Sequence, residues 1–347
     1  NLKLNELEKL LNNKKKNNKF LKNSIEKFDV EGYGRIYYYK ENLFKIFEKD
    51  LEDCKKIKVE NNDTLYSILG GQYNLNNKIY LYSGFSHKFN NKNELLESAY
   101  KEKLTINNVS VLISGKPKLD IDKNRNILKI KLFNIEDKVI FMGGNLSDWD
   151  IIVDAKKAKN LEPKSRYDKS LITGSINFLD MKINSLRIKM NGGLNEDSIN
   201  FVRSFGQIEE INVLNSYQDA IDLDFSTLTI NKIFVNNSGN DCLDLSSGNY
   251  SIENFLLSNC RDKAISLGER GVLNLEQGKI LNSFSALVVK DSSRMFAKNI
   301  ETNNVKNCYL VYRKKQEFGN SSLNLKNFSC KKGTKYIQEN SIISIKS

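Results

Sequence analysis

One short pattern, Asp219-Ala-Ile-Asp-Leu-Asp-Phe225, returns 22 residues later as Asp241-Cys-Leu-Asp-Leu-Ser246, and the same frame continues to residue 311. A small residue heads each unit at steps of 22 residues, and an asparagine closes each unit at steps of 22 or 23. Two independent columns with one period predict a solenoid, in which each coil stacks on the previous one. The columns are Ala220, Cys242, Ala264, Ala286 and Cys308, and Asn215, Asn237, Asn259, Asn282, Asn304 and Asn327.

The residues inside each unit indicate strands. Short alternating apolar runs such as Ile221, Leu223 and Phe225 are separated by polar turns, and alternation at period 2 is typical of strands. A leucine-rich repeat of similar length would need a helix, and its leucine spacing is missing. The unit therefore predicts a parallel β-helix. In that fold the asparagine column has a structural role, because stacked amides bond along the column and tolerate left-handed backbone.

The repeat resembles the right-handed parallel β-helix proteins of the pectate-lyase type. It is more similar still to a β-helix domain of bacterial surface proteins, sometimes found beside CotH-type kinase domains, for which the resemblance implies no settled activity. The resemblance covers about residues 140 to 320. It rests on Asp219-Ala-Ile-Asp222, Gly239-Asn-Asp-Cys-Leu-Asp-Leu-Ser246, Asp262-Lys-Ala-Ile-Ser-Leu-Gly-Glu269, Lys290-Asp-Ser-Ser293 and Lys314-Lys-Gln-Glu-Phe-Gly319.

The chain of 347 residues is predicted to hold two regions. Residues 1–104 form an N-terminal α+β region, with helical spacing over 1–28, 41–54 and 93–103 and a strand over 32–39. Residues 105–347 form the right-handed parallel β-helix, so that the chain as a whole is classed as all-β. No apolar run approaches the length of a membrane span, so we expect no integral membrane segment.

The formal net charge of +12 indicates an anionic partner, such as an acidic polysaccharide. Nucleic acid is not expected, because no helix-turn-helix, RNP-type or zinc-finger spacing occurs. The five cysteines are expected to be unpaired, because Cys242 and Cys308 share a column three coils apart, as do Cys260 and Cys330. Unpaired cysteines favour a reducing compartment, whereas a bacterial secreted or cell-envelope location fits the resemblance.

Catalysis in the repeats would have to use carboxylates and lysines. The single histidine, His87, lies outside the repeats, which excludes Ser-His-Asp and Cys-His triads there. The repeat frame puts Asp222 and Asp244 on the outward face, on neighbouring coils about 5 Å apart. Two carboxylates so close repel, so one pKa should rise or a cation should bridge them.

Three interpretations of this face stay open. Calcium held by Asp222, Asp224 and Asp244 could neutralise a uronate while Lys263 or Lys290 abstracts a proton in an elimination. A carboxyl pair could instead hydrolyse a glycosidic bond. The third interpretation is a structural ladder without chemistry. Asp219 and Asp241, on the turn before the strand, are expected to cap strand-end N–H groups.

Other residues are candidates for substrate binding around the same face. They are Arg203, Asp224, Glu269, Asp291, Arg313, Lys314 and Lys315, together with Trp149, whose ring could stack on a sugar or pack in the core. The resemblance supplies no complete catalytic set, since the Arg-x-Pro-x-x-Arg of pectate lyases and the Gly-His-Gly of polygalacturonases are both missing.

The sequence thus predicts a carbohydrate-active protein that acts on an anionic polysaccharide by elimination or hydrolysis, with Asp222, Asp244, Lys263 and Lys290 as catalytic residues. The alternatives are a non-catalytic glycan-binding or surface-structural module and a cytosolic bacterial glycan-assembly protein. The first two differ in whether the outward carboxylates converge with a lysine or arginine in a groove. Evenly paired charges would favour the module.

Overall fold

The computed structural model describes residues 25–30, 34–39, 56–58, 64–67, 71–75, 78–82, 102–157 and 172–346. The chain divides into two compact units, Asn1–Leu96 and Glu97–Ser347. Strands and turns make up the described residues, and no helix occurs among them. Within those ranges there is accordingly no helix with the length and apolar character needed to span a membrane.

The N-terminal unit contains an antiparallel sheet of four strands in the order β1-β2-β4-β3 and a separate hairpin of β5 and β6. The strand predicted over 32–39 is confirmed as β2, whereas the helix predicted over 1–28 is wrong from residue 25, because β1 pairs antiparallel with β2. The helix predicted over 41–54 lies outside the described residues, as does most of the helix predicted over 93–103, which is wrong at residues 102 and 103 because they belong to a strand. The strands are β1 (Ile25–Val30), β2 (Gly34–Tyr39), β3 (Lys56–Lys58), β4 (Thr64–Ser67), β5 (Gly71–Leu75) and β6 (Lys78–Tyr82).

The second unit is a parallel β-solenoid of about 22 residues per turn and about 9 turns, as the repeat predicts. Its strands are β7 (Glu102–Ile106), β8 (Val109–Ser114), β9 (Lys118–Asp122), β10 (Ile127–Leu132), β11 (Lys138–Met142), β12 (Asn145–Ser147), β13 (Asp150–Ala155), β14 (Gly174–Leu179), β15 (Lys182–Asn191), β16 (Asp197–Val202), β17 (Phe205–Ser216), β18 (Asp219–Asp224), β19 (Thr227–Ser238), β20 (Leu243–Ser246), β21 (Asn249–Cys260), β22 (Lys263–Gly268), β23 (Val272–Lys290), β24 (Arg294–Tyr312), β25 (Ser322–Cys330), β26 (Thr334–Ile337) and β27 (Ile342–Lys346).

Each turn contributes to three parallel sheets. The first sheet contains β14, β16, β18, β20 and β22 and continues through 285–290 of β23 and 307–312 of β24. The second and third sheets are formed by the first and second halves of the long strands β17, β19 and β21, and by 272–275 and 277–281 of β23. The N-terminal end differs, because β7, β8 and β9 pair antiparallel with their neighbours.

The core is built from inward columns that run along the solenoid axis. Phe141, Phe178 and Phe201 stack with centroid distances of 5.0 and 4.4 Å, and the column continues as Leu223 and Leu245. All five small residues that head the units are fully buried. A larger side chain there would overpack the corner, which explains why this column contains only alanine and cysteine.

The asparagine column has the structural role that the sequence predicts. All six asparagines adopt positive φ angles between 49° and 70°, in the left-handed region that asparagine tolerates best after glycine. Asn237 donates to Asn215 at 3.0 Å, and Asn304 donates to Asn282 at 2.9 Å. Asn259 and Asn327 donate instead to Asn236 and Asn299, so amide bonds within the column join two of its five steps.

The prediction of unpaired cysteines is wrong for the four cysteines of the solenoid. Cys242 is bonded to Cys260 and Cys308 to Cys330, with Cα–Cα distances of 5.4 and 6.0 Å. Cysteines that share a column, such as Cys242 and Cys308, are three coils apart and do not pair with each other. The actual partners lie in different columns on either side of one corner, where the end of a third-sheet strand comes close to the start of a first-sheet strand. The fifth cysteine, Cys54, lies outside the described residues.

Candidate functional site

The candidate site lies on the outer face of the first sheet. Register pairs Asn200 with Asp222, Asp222 with Asp244 and Asp244 with Ser266, so the four residues form one column along the axis, as the repeat frame predicts. Asn200 donates to the Asp222 carboxylate at 3.2 Å. Two carboxyl groups thus occupy neighbouring coils between an amide and a hydroxyl.

This outer face is much less exposed than an ordinary outward face of a sheet. Asp222 is only 9 % exposed, and Asn200 and Ser266 are almost completely buried. Asp244 is more accessible, with 23 % of its side chain exposed. A ligand would therefore reach the column from the side of Asp244.

Aspartates at the strand starts link consecutive coils, as the sequence predicts. The Asp219 carboxylate accepts hydrogen bonds from the backbone N–H of Asp241 and the amide of Asn240, both at 2.7 Å. The Asp241 carboxylate accepts from the backbone N–H of Lys263 at 3.0 Å. These contacts satisfy backbone donors at the corner and bring further carboxyl groups next to Asp244.

Burial and mutual repulsion raise the pKa values of these carboxyl groups. The pKa of Asp222 lies well above its usual range, first because of burial and then because of Asp224, Asp197, Asp244 and Asp219. Burial likewise raises the pKa of Asp219 to about 9 and that of Asp241 to about 6. The pKa of about 9 keeps Asp219 protonated at neutral pH, and the pKa of Asp222 is shifted in the same direction, because burial disfavours the charged form.

Lys290 reaches the column by crossing a glycine. Its Cε lies 2.9 Å from the position of a β-carbon on Gly268, so any other residue there would contact the lysine. The ammonium donates to the Ser266 hydroxyl at 2.8 Å and lies 3.8 Å from the Asp244 carboxylate. Burial alone would lower the pKa of Lys290, but Asp244 and Asp241 raise it above the usual value.

Lys263 and Lys314 add positive charge around Asp244. Lys263 lies 3.2 Å from the Asp241 carboxylate and also contacts Asp262. Burial would lower its pKa, but these two carboxylates raise it. The pKa of the exposed Lys314 is lowered, first by the nearby Lys290 and then by partial burial, Lys263 and Lys315. Several ammonium groups therefore lie close enough to repel one another.

Four of the predicted binding residues form ion pairs or hydrogen bonds within the protein. Arg203 forms an ion pair with Asp180 at 2.8 Å, and the buried Glu269 forms one with Lys315. Asp291 is completely buried and accepts hydrogen bonds from the backbone N–H groups of Lys314 and Lys315 at 2.6 and 2.7 Å. These contacts hold the segment that carries Lys314. Arg313 is exposed, with its backbone N–H donating to Gln338 at 2.6 Å.

Trp149 is not a sugar-stacking residue. It is 1 % exposed and belongs to the hydrophobic core, so neither face of its ring is accessible to a ligand. The core interpretation of this tryptophan is the correct one.

The predicted calcium site is not formed. Among the residues that the structure describes, no group of three or more histidine, cysteine, aspartate or glutamate side chains is arranged to hold a metal ion.

Ser266 was not singled out from the sequence, although it binds Lys290. The sequence predicts only turn roles for Asp219 and Asp241, yet Asp219 raises the pKa of Asp222 and Asp241 raises that of Lys290. The repeat frame contains the signal for Ser266, since it continues the column of Asp222 and Asp244, and Gly268 is the register partner of Ser246. Gly268 lies one coil before Lys290, and because it has no side chain, the Lys290 side chain can lie over it.

Comparison of the chain with protein-family models, curated proteins and solved structures finds no match. The solenoid fold is therefore established by the coil register alone, and the resemblance to pectate-lyase-type proteins and to domains beside CotH-type kinases gains no further support.

Proposed function

We propose that the protein hydrolyses an anionic polysaccharide at the first-sheet column, with Asp222 and Asp244 as the catalytic pair. The observation that carries this proposal is the pairing, on neighbouring coils, of a buried carboxyl group whose pKa is raised with a carboxylate that faces the Lys290 ammonium. Two neighbouring carboxyl groups in different environments, one buried and one beside an ammonium group, are typical of an acid and its partner in glycoside hydrolysis.

Asp222 would act as the general acid. Burial and the neighbouring carboxyl groups raise its pKa and so favour the protonated form, and this proton would pass to the glycosidic oxygen as the bond to the leaving sugar breaks. Asp244 would act as the carboxylate partner. Lys290 stabilises its negative charge, and its Oδ1 atom accepts no hydrogen bond within the described part of the chain.

The spacing of the pair favours a retaining reaction. Neighbouring parallel strands lie about 4.8 Å apart, and retaining enzymes hold their carboxyl groups about 5–5.5 Å apart, compared with about 6.5–9.5 Å for inverting enzymes. Asp244 would attack the anomeric carbon while Asp222 protonates the leaving group. Water would then hydrolyse the glycosyl-enzyme bond, with the Asp222 carboxylate accepting the proton from that water.

Elimination is less well supported than hydrolysis. A lysine that abstracts the α-proton must be neutral, whereas the neighbouring carboxylates raise the pKa values of both Lys263 and Lys290. Both lysines therefore stay protonated at neutral pH. Their charges suit the binding of a substrate carboxylate, together with Lys314.

Two further observations fit a substrate outside the cell. The net charge of +12 favours an acidic polymer, and the two disulfides fit an oxidising compartment, such as the cell envelope or the exterior. The cytosolic alternative loses the support that unpaired cysteines would have supplied.

A non-catalytic binding or structural module is the second candidate. It is favoured by the complete pairing of Lys263 with Asp241 and Asp262, and of Lys315 with Glu269. In that case the charges near Asp244 would serve to join coils, and no bond of the glycan would be broken.

The deciding experiment is a screen of the purified protein against polygalacturonate, alginate, hyaluronan and heparan sulfate. Reducing ends and the ultraviolet absorbance of unsaturated ends are followed together. We expect reducing ends without absorbance, lost in both Asp222→Asn and Asp244→Asn and kept in the surface control Asp154→Asn, whose side chain is 67 % exposed. Absorbance would indicate elimination, whereas binding without either product would support the module.

A further inference from the structure

A second surface feature is a groove of about 740 Å³ on the third sheet, away from the first-sheet column. The strand register places one column of its lining residues along the solenoid axis: Glu210 pairs with Lys232, Lys232 with Asn254 and Asn254 with Gln277. The groove also reaches Asn299 on the next coil. Five coils at about 4.8 Å per step make the groove about 19 Å long. This shape fits an extended chain rather than a compact ligand.

The floor of the groove is apolar. It contains one column of residues in which a glycine follows two large apolar side chains. Ile233 pairs with Phe255 and Phe255 with Gly278. A β-carbon on Gly278 would lie 2.5 Å from the ring of Phe255, so the ring occupies the space that the glycine leaves. The half-buried Phe234 and Leu256 line the neighbouring column. Together they offer flat apolar surface along the groove.

The polar groups of the groove carry no net charge. Glu210 and Lys232 have opposite signs, as do Lys279 and Glu301, which form an exposed ion pair at 2.8 Å. The remaining polar lining consists of amides such as Asn254 and Gln277, which bond to each other. Amide groups both donate and accept, so they suit hydroxyl groups rather than anions.

We propose that this groove binds an uncharged glycan chain along the solenoid axis. A chain of sugar rings has apolar ring faces for Phe234 and Leu256 and hydroxyl edges for the amides. An acidic polymer would gain nothing from a lining whose charges cancel. A peptide that binds by strand addition would need free backbone groups, whereas the strands here donate and accept within the sheet. The site is separate from the proposed catalytic column.

The test is calorimetric titration of the whole protein with cellohexaose, xylohexaose, mannohexaose, maltohexaose and chitohexaose. We expect at least one of them to bind, and Phe234→Ala to weaken that binding about tenfold, since the loss of an aromatic contact of about 1.4 kcal/mol has this effect. The matched control is Phe296→Ala, which removes a phenylalanine that is 43 % exposed on the second sheet.

Lys314→Ala distinguishes this proposal from the catalytic one, because it changes the first-sheet site only and should leave binding of the neutral chain intact. Thermal melting confirms that each variant is folded. The proposal is overturned if no hexasaccharide binds, or if Phe234→Ala binds as tightly as Phe296→Ala. Failure of polysaccharide hydrolysis would leave this test unaffected.

Discussion

Lys290 lies across Gly268, and its ammonium reaches Ser266 on the preceding coil at 2.8 Å. This contact joins a long side chain to a position that only glycine leaves open. Because the φ angle of Gly268 is not in the left-handed region, its backbone does not require glycine. The space taken by Lys290 is therefore the reason for glycine at this position, and the relationship can be tested directly.

Gly268→Ala should destabilise the protein only while Lys290 is present. The new methyl group displaces the lysine from Ser266 and Asp244, which costs about 1–3 kcal/mol for a buried polar contact. In a Lys290→Ala background the same substitution should be neutral or stabilising, because alanine restricts the unfolded chain. Urea denaturation of the four proteins in this cycle gives the coupling energy. An equal cost in both backgrounds would refute the packing argument.

Lys314→Ala should weaken the binding of an acidic substrate without changing the chemical step. Lys314 is exposed and close to Lys290 and Lys263, so it would contact a substrate carboxylate and add a charge-assisted hydrogen bond of about 1.5–3 kcal/mol. We expect KM to rise about tenfold or more at low salt while kcat stays constant. Lys129→Ala, at an exposed position on β10, is the control for the loss of one positive charge. A fall in kcat at unchanged KM would contradict this role.

The pKa of Asp219 predicts that stability falls as pH rises. Unfolding returns this carboxyl group to its ordinary pKa of 3.8, whereas folding raises the pKa to about 9. Between these values the folded state binds the additional proton, so the free energy of unfolding decreases with pH by up to about 1.4 kcal/mol per pH unit for one proton. Asp222 and Asp241 act with the same sign.

Asp219→Asn should reduce the slope of this dependence and leave the part that Asp222 and Asp241 contribute. The side-chain oxygen of asparagine can still accept from Asp241 and Asn240, and no proton is exchanged. Urea denaturation at pH 5, 6, 7 and 8 measures the slope for wild type, Asp219→Asn and the surface variant Asp154→Asn. If wild type is equally stable at pH 5 and pH 8, these carboxyl groups are not protonated in the folded state.

Properties that depend on the coil period could be predicted from the sequence. The positions of Asp222 and Asp244 on neighbouring coils and the left-handed asparagines follow from a period of 22 residues, because each column repeats one backbone environment. Properties that connect different columns could not be predicted. Lys290 reaches Ser266 diagonally, and the burial of Trp149 depends on packing within an irregular coil.

The pairing of the cysteines could not be predicted either, because each disulfide joins two different columns across a corner. Cys242 and Cys260 are separated by 18 residues, less than one full repeat. The short loop closes because the end of β21 stacks on Ser238, four residues before Cys242. Geometry in three dimensions is needed to recognise this proximity.

Removing the Cys242–Cys260 bond should lower stability by about 3 kcal/mol, the value expected for a loop of this length. The suitable variant is Cys242→Ala with Cys260→Ser. Alanine occupies the column of Cys242 at Ala220 and Ala264, and Ser238 is the register partner of Cys260, so packing changes little. Urea denaturation under non-reducing conditions measures the loss. The same midpoint for wild type and variant would mean that the bond does not constrain the unfolded chain.

Thiol titration of the denatured protein provides the independent control. Of the five cysteines, four form the two disulfides, so wild type should expose one thiol per chain, that of Cys54. The double variant should also expose one, because both partners of one bond have been removed together. The single variant Cys242→Ala should expose two, since Cys260 then has no partner. Five thiols in the wild type would show that neither bond forms in solution and would restore the argument for a reducing compartment.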